Sequence, residues 1–173
     1  MDATEALATV SDRLVGGVMH HSDHADLCWH MGLEEVARMN EAGYRHDSKC
    51  LRRVRKAAIR NLGSPLPESR QDRSHLLDAH RREPWWELGP QARQDALRTA
   101  LGNMAEWEEG TCAVLRRAHE SLLARGQATL SDLVWEILAD TEGELAGIRE
   151  ACALCETCGW DVPTCLETLR GRD

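Results

Sequence analysis

Two glutamates in the C-terminal half of the chain are the residues whose types and positions indicate chemistry most clearly. Glu144 lies within residues 128–148, whose apolar side chains recur at helical spacing, and it falls toward that apolar stripe, one turn after Thr141. Glu108 lies one helix earlier. A carboxylate that faces a helical core must be paired, protonated or bound to metal, because burying it without a partner is too costly.

Three histidines near residue 20 form a second candidate. His20 and His24 lie four residues apart, so both fall on one face of a helix, where such a pair can chelate a divalent transition metal. His21 falls on the apolar stripe instead. We favour a solvated helix face for His20 and His24, because a histidine pair of this kind is common on exposed helices.

The end of the chain is rich in cysteine. Its members are Cys152, Cys155, Cys158 and Cys165. Residues 155–160 resemble half of a zinc or rubredoxin knuckle, and four thiolates could close a tetrahedral zinc site if the helix ended early. We favour packing of these side chains at the end of a helical domain, because only one cysteine follows Gly159.

Composition limits the class of protein. The chain has 173 residues, of which 42% are apolar, enough for a single domain with a core. The formal charge of -8 argues against DNA binding, and no apolar run is long enough to span a membrane. No secretory signal is visible at the N-terminus, so the seven cysteines are expected to be thiols of a cytoplasmic protein.

Periodicity and the positions of Gly and Pro predict an all-α fold with four long helices. The predicted segments are 4–30, 33–61, 90–124 and a fourth from Thr129 or Ser131 to about 159. A short helix over 163–169 lies in the tail, 160–173. Short links join the helices of each pair, whereas 64–89 form a long crossover that could hold a short helix near 75–82. The whole chain, 1–173, is therefore expected to be one four-helix bundle with a single crossover.

Three stretches of the sequence carry a family resemblance. They are HADLCWHMGLEEVARMN, the helix end IRNLGSPLP, and TLSDLVWEILADTEGELAGI. Together they resemble the bacterioferritin and Dps members of the ferritin-like superfamily. The resemblance implies a ferritin-like bundle that binds iron or another transition metal, with iron oxidation or storage as the activity and a homo-oligomer as the assembly.

The resemblance also implies a ligand set. A bacterioferritin-like di-iron site takes Glu from the first helix, Glu-x-x-His from the second, Glu from the third and Glu-x-x-His from the fourth. Glu108 matches the third-helix Glu. Asp47 and Cys50 fall on the second-helix pair, whereas Thr141 and Glu144 fall on the fourth-helix pair.

The first-helix glutamate of the family is missing from this chain. Leu14 falls on its position, and His21, two turns later on the same face, could replace the lost ligand. The predicted metal ligands are therefore Glu108, Glu144, Asp47, Cys50 and His21.

Two classes of function follow from these observations. The first is a ferritin-like metalloprotein with a non-standard carboxylate, cysteine and histidine site. The alternative is a degenerate ferritin-like scaffold without redox activity, which acts through oligomerisation or partner binding. Trp85 and Trp86, a neighbouring aromatic pair in the crossover, would suit such an interface.

Overall fold

The computed structural model describes residues 1–69 and 87–171, and their regular secondary structure is helical throughout, without strands. Five helices occur in this part of the chain: α1 (Ala3–His30), α2 (Glu34–Leu62), α3 (Pro90–Leu123), α4 (Ala128–Thr157) and α5 (Val162–Arg170). None of them is long and apolar enough to cross a membrane.

Local sequence signals set most of the helix ends. Asp2 caps α1 in a capping box with Glu5, in which each side chain accepts a hydrogen bond from the other residue's backbone N–H. Gly63 ends α2 in the left-handed region, with φ of 72°, and Pro90 occupies the first turn of α3. The predicted helix ends agree with these to within a few residues.

The predicted start of α4 near Thr129 or Ser131 is close, but neither of these residues is the N-cap. The helix begins at Ala128, and its N-cap, Gln127, makes no side-chain capping bond. Ser131 is not available as a cap because its buried hydroxyl lies 2.9 Å from Nδ1 of His119 on α3. The short helix expected near 75–82 and the pair Trp85–Trp86 lie outside the described residues.

The four long helices pack alongside one another as two hairpins. Short links join α1 to α2 and α3 to α4, so the helices of each pair are antiparallel neighbours. Contacts also run between the hairpins. The start of α1 meets the end of α3, where Ser121 Oγ donates to the carbonyl of Met1, and His46 on α2 pairs with Glu144 on α4.

Apolar side chains form two separate clusters along these helices. The first cluster contains Leu7, Leu14, Val54, Leu115 and Ile137, and the second contains Leu33, Val36, Leu97, Leu101 and Ile148. Between them, each long helix carries polar or ionisable residues at the same level. We call this level the polar layer; it consists of His21, Asn40, Asp47, Glu108, Thr141 and Glu144.

The chain folds back after α4 through two residues with left-handed backbone conformation. Gly159 and Trp160 both have φ of 62°, a conformation that is unusual for a bulky side chain such as Trp. The turn returns α5 to the second apolar cluster, where Cys165 and Leu169 are buried.

Candidate functional site

The polar layer contains one ionisable side chain from each of the four long helices. His21 comes from α1, Asp47 from α2, Glu108 from α3 and Glu144 from α4. The side chains of His21, Asp47 and Glu108 are only 1%, 4% and 2% exposed, whereas that of Glu144 is 32% exposed. Four of the five predicted ligands therefore lie in one layer, enclosed by apolar clusters above and below.

Hydrogen bonds fix the orientation of the His21 ring. Its Nδ1 lies 3.2 Å from Oδ1 of Asn40, and the amide nitrogen of Asn40 donates to the carbonyl of Val36. Because Asn40 presents an acceptor, Nδ1 of His21 carries the proton. The other ring nitrogen, Nε2, then faces Glu108 Oε1 at 2.9 Å and Asp47 Oδ2 at 3.9 Å.

Two glycines make the room for these buried side chains. A Cβ at Gly43 would lie 2.8 Å from two atoms of the His21 ring, and a Cβ at Gly17 would lie 1.8 Å from Oδ2 of Asp47. Any larger residue at either position would displace a member of the polar layer. The absence of a side chain at Gly17 and Gly43 is thus part of how the sequence builds the site.

The polar layer contains more carboxyl groups than basic groups, with Asp47, Glu108 and Glu144 around the single imidazole of His21. Burial, together with the charge of Glu108, raises the pKa of Asp47 to about 7, although His21 and Arg13 oppose that change. Burial and the charges of Glu108 and Asp47 raise the pKa of Glu144 to about 8. Burial lowers the pKa of His21, but its hydrogen bond to Glu108 and the nearby carboxylates raise it overall. Additional positive charge in this layer would therefore be stabilised.

Arg13 supplies a fixed positive charge beside the layer. Its guanidinium lies 3.5 Å from the centre of the Trp107 ring, and it donates to Thr111 Oγ1 at 2.9 Å and to the carbonyl of Trp107 at 2.5 Å. These contacts hold it against α3, next to Glu108.

A second set of side chains extends from the layer along α2. Nδ1 of His46 lies 3.3 Å from Oε1 of Glu144, and its Nε2 lies 3.3 Å from Sγ of Cys50. Cys50, the fifth predicted ligand, is buried. The His46 imidazole lies between its sulfur and the Glu144 carboxylate of the layer. Burial is the main cause that lowers the pKa of His46, so its ring is neutral at neutral pH.

A cleft of about 630 Å³ leads from the surface into the polar layer. Its lining includes the exposed side chains of Trp29 and Arg45 together with the buried His21 and Glu108. Small molecules and ions therefore have a route to the carboxylates from the side of the molecule where α2 and α4 meet.

Sequence reasoning missed three contributors to this site: Arg13, Asn40 and His46. His46 was within reach of the same helical-spacing argument, because it lies one turn before Cys50 on α2. The roles of Arg13 and Asn40 depend on contacts between helices, which spacing along one helix does not reveal.

Two positions carried over from the resemblance lie outside the set of possible ligands. Leu14 is part of the first apolar cluster, and the hydroxyl of Thr141 donates to the carbonyl of Ile137 at 2.9 Å within its own helix.

The remaining candidates are not part of the layer, although the His20 ring lies beside it, with 5.4 Å between its centre and that of the His21 ring. The His20 ring stacks on Trp107, with 4.5 Å between ring centres, and Nδ1 of His24 bonds the carbonyl of His20 at 2.8 Å. The solvated face expected for this pair is therefore wrong, since both rings are partly buried. Cys155, near the end of α4, and Cys165, on α5, are buried where these two helices pack together.

Within residues 1–69 and 87–171, no three His, Cys, Asp or Glu side chains already stand in the arrangement of a metal centre. Comparison of the sequence with protein-family models and curated proteins, and of the structure with solved structures, finds no significant match.

Proposed function

We propose that this protein binds a divalent transition metal, iron or a close relative, in its polar layer, with His21, Asp47, Glu108 and Glu144 as the ligands. One observation carries the proposal. Nε2 of His21, on the side of the ring opposite the fixed proton, faces two carboxylates. In the metal-free protein a proton between Nε2 and Glu108 fills this place, and a metal ion held by the same atoms would displace it.

The spacing of the pair at the centre is compatible with a metal ion. Bonds of about 2.0–2.2 Å from one ion to a nitrogen and an oxygen, at right angles, place these atoms about 3 Å apart. Nε2 of His21 and Oε1 of Glu108 are 2.9 Å apart. Asp47 Oδ2 lies 3.9 Å from Nε2 of His21. A rotation of the Asp47 side chain would be needed to bring this oxygen to the ion, so metal binding would shorten the distance between Asp47 and His21.

The choice of metal follows from the donors. Imidazole and carboxylate together suit iron, manganese and zinc, and a partly open position on the cleft side would let a bound ion react with small oxidants. Iron bound there would supply electrons to oxygen or peroxide. The chain itself would hold the ion, keep Nδ1 of His21 protonated through Asn40 and limit the access of water.

The course of the chain supports a ferritin-like bundle as the setting of this site. Leu62 and Leu66, at the end of α2, pack on the first apolar cluster, whereas Leu88 and Leu97, around the start of α3, pack on the second. The connection therefore joins opposite ends of the long helices. A single long crossover of this kind is the arrangement of ferritin-like proteins.

The second candidate is a helical scaffold without a metal, in which the polar layer specifies how the helices align. The lack of any ready-made three-ligand group in the described residues favours it. So do exposed aromatic side chains such as Trp29 and Trp135, which suit contacts with another protein or another copy of the chain.

Metal content separates the two candidates. We expect protein purified without chelator, or loaded with Fe²⁺ under argon, to hold close to one or two ions per chain by elemental analysis. Glu108→Gln and Glu144→Gln should each reduce this content several-fold, because each removes a charged ligand while keeping side-chain volume.

Neighbouring glutamates provide matched controls for this measurement. Glu109→Gln and Glu142→Gln change exposed residues that pair with Arg149 and Arg116 on the surface, so they should leave the metal content unchanged. A wild-type protein that resists loading with iron, manganese and zinc would overturn the metal-binding proposal and leave the scaffold.

A further inference from the structure

Cys50 and His46 lie in the geometry of two ligands of one metal ion. Sγ of Cys50 is 3.3 Å from Nε2 of His46. Bonds of about 2.3 Å to sulfur and about 2.0 Å to nitrogen, at a tetrahedral angle, place the two donor atoms about 3.5 Å apart. Both residues lie on one face of α2, four positions apart, so the rigid helix maintains this spacing.

The far side of the His46 ring has the partner that metal-binding histidines require. A histidine that binds metal through one ring nitrogen usually donates its other N–H to a carboxylate, which fixes the tautomer and the direction of the lone pair. Here Nδ1 of His46 lies 3.3 Å from Oε1 of Glu144. If Nδ1 carries the proton, the lone pair on Nε2 points to Cys50.

The surroundings of Cys50 distinguish it from the other buried cysteines. Cys28, for example, lies among apolar side chains of the second cluster. Cys50 instead has an imidazole within hydrogen-bond distance. Burial, together with the charge of Asp47, raises the pKa of its thiol to about 12, and a bound metal ion beside the sulfur would lower that pKa.

We infer that Cys50 and His46 are direct ligands of a thiophilic metal ion such as Zn²⁺ or Co²⁺, and that Glu144, a proposed ligand of the ion in the polar layer, also orients the His46 imidazole. This inference rests on the proposed metal-binding function and adds a sulfur ligand to it. Binding would release the thiol proton of Cys50 to solvent, and the ion would take its place beside Nε2 of His46. The site would then prefer metals with an affinity for sulfur over Mg²⁺ or Ca²⁺.

Titration with CoCl₂ under reducing, anaerobic conditions tests the inference. Bound Co²⁺ is counted by equilibrium dialysis, and a thiolate ligand is identified by its charge-transfer absorption in the near ultraviolet. We expect wild-type protein to show this band, and both Cys50→Ser and Cys50→Ala to lose it. Glu144→Gln should retain the band but weaken Co²⁺ binding roughly tenfold, as expected for loss of an orienting carboxylate.

Two control variants identify which cysteine supplies the thiolate ligand of Co²⁺. Cys28→Ser changes a buried cysteine away from the layer and should retain the full band. Cys155→Ser changes a cysteine near the end of α4; a band that disappears in this variant and persists in Cys50→Ser would assign the sulfur ligand to Cys155 and overturn the inference.

The remaining outcomes separate this inference from the proposed function. Co²⁺ that binds wild-type protein without a charge-transfer band would overturn the role of Cys50 and leave metal binding by the carboxylates intact. No bound Co²⁺ at all would overturn both. Circular dichroism of each variant checks that its helices are retained.

Discussion

Replacement of Gly43 by alanine is expected to destabilise the protein by roughly 2–4 kcal/mol, although alanine favours helices more than glycine does. The added Cβ would lie within 3.0 Å of the rigid ring of His21. The ring is buried on all sides and bonded at both nitrogens, so it can move only by breaking its hydrogen bonds to Asn40 and Glu108. Urea unfolding followed by circular dichroism measures the change.

Gly102→Ala and Gly143→Ala are the matched controls for this prediction. Both glycines lie within helices, and an added Cβ would meet no atom within 4 Å. Each substitution should therefore stabilise the protein, by about 0.5–1 kcal/mol, through helix propensity alone. If Gly43→Ala behaved like these two, the tight packing of His21 against α2 would be disproved.

Gly17→Ala extends the same argument to the chemistry of the layer. It would force the carboxylate of Asp47 from its place while leaving the His21 hydrogen bonds intact. The two glycine variants thus disturb different members of one group, and both are expected to lower metal content.

The helices and their order could be predicted from the sequence because their signals are local. Pro90 starts α3 and Gly63 ends α2 through backbone preferences that need no tertiary context. The N-cap of α4 could not be predicted in this way, because Ser131 bonds to a histidine on another helix rather than to the backbone of its own.

Part of the candidate site could also be predicted from the sequence. Glu144 and His21 could be placed on inward faces because apolar neighbours recur around them at helical spacing. Which side chains touch each other depends on the rotation and depth of four helices, and no single helix carries that information. Asn40 illustrates the limit, since its importance comes from the His21 ring across the helix pair.

The two small inward-facing glycines show a further limit. From the sequence alone, Gly17 and Gly43 read as weak points in helices, where glycine costs about 1 kcal/mol relative to alanine. In the structure they accommodate the two side chains that face each other in the polar layer. Selection for helix stability alone would replace both glycines. The stability lost at these two positions is therefore linked to the space that His21 and Asp47 occupy.

Asp47→Asn is expected to stabilise the metal-free protein at pH 8, in spite of removing a buried polar contact. The pKa of Asp47 is about 7 in the folded protein, above its usual value of 3.8, because burial and Glu108 disfavour the charged form. The folded state therefore holds this proton more tightly than the unfolded chain does. The contribution of Asp47 to the stability of wild-type protein should decline as the pH rises from about 4 to 7 and then level off, whereas Glu144, with a pKa of about 8, extends the decline of the whole protein to about pH 8.

The asparagine variant lacks the contribution of Asp47 to this decline because its amide does not ionise. We expect it to match wild type near pH 4 and to exceed it by roughly 2–4 kcal/mol at pH 8, since each unit of pKa is worth about 1.4 kcal/mol. Urea midpoints in EDTA at several pH values measure the difference. Asp132→Asn, at an exposed position on α4, should follow wild type throughout.

A divalent metal should reverse this order. An ion that binds the folded state stabilises wild type in proportion to the logarithm of its free concentration, whereas Asp47→Asn loses a ligand and gains little. With Fe²⁺ or Zn²⁺ present at pH 8, wild type should therefore become the more stable of the two. If Asp47→Asn remained more stable than wild type at every metal concentration, the buried carboxylates would not be cation ligands. A layer that only aligns the helices would be stabilised by the neutral side chain.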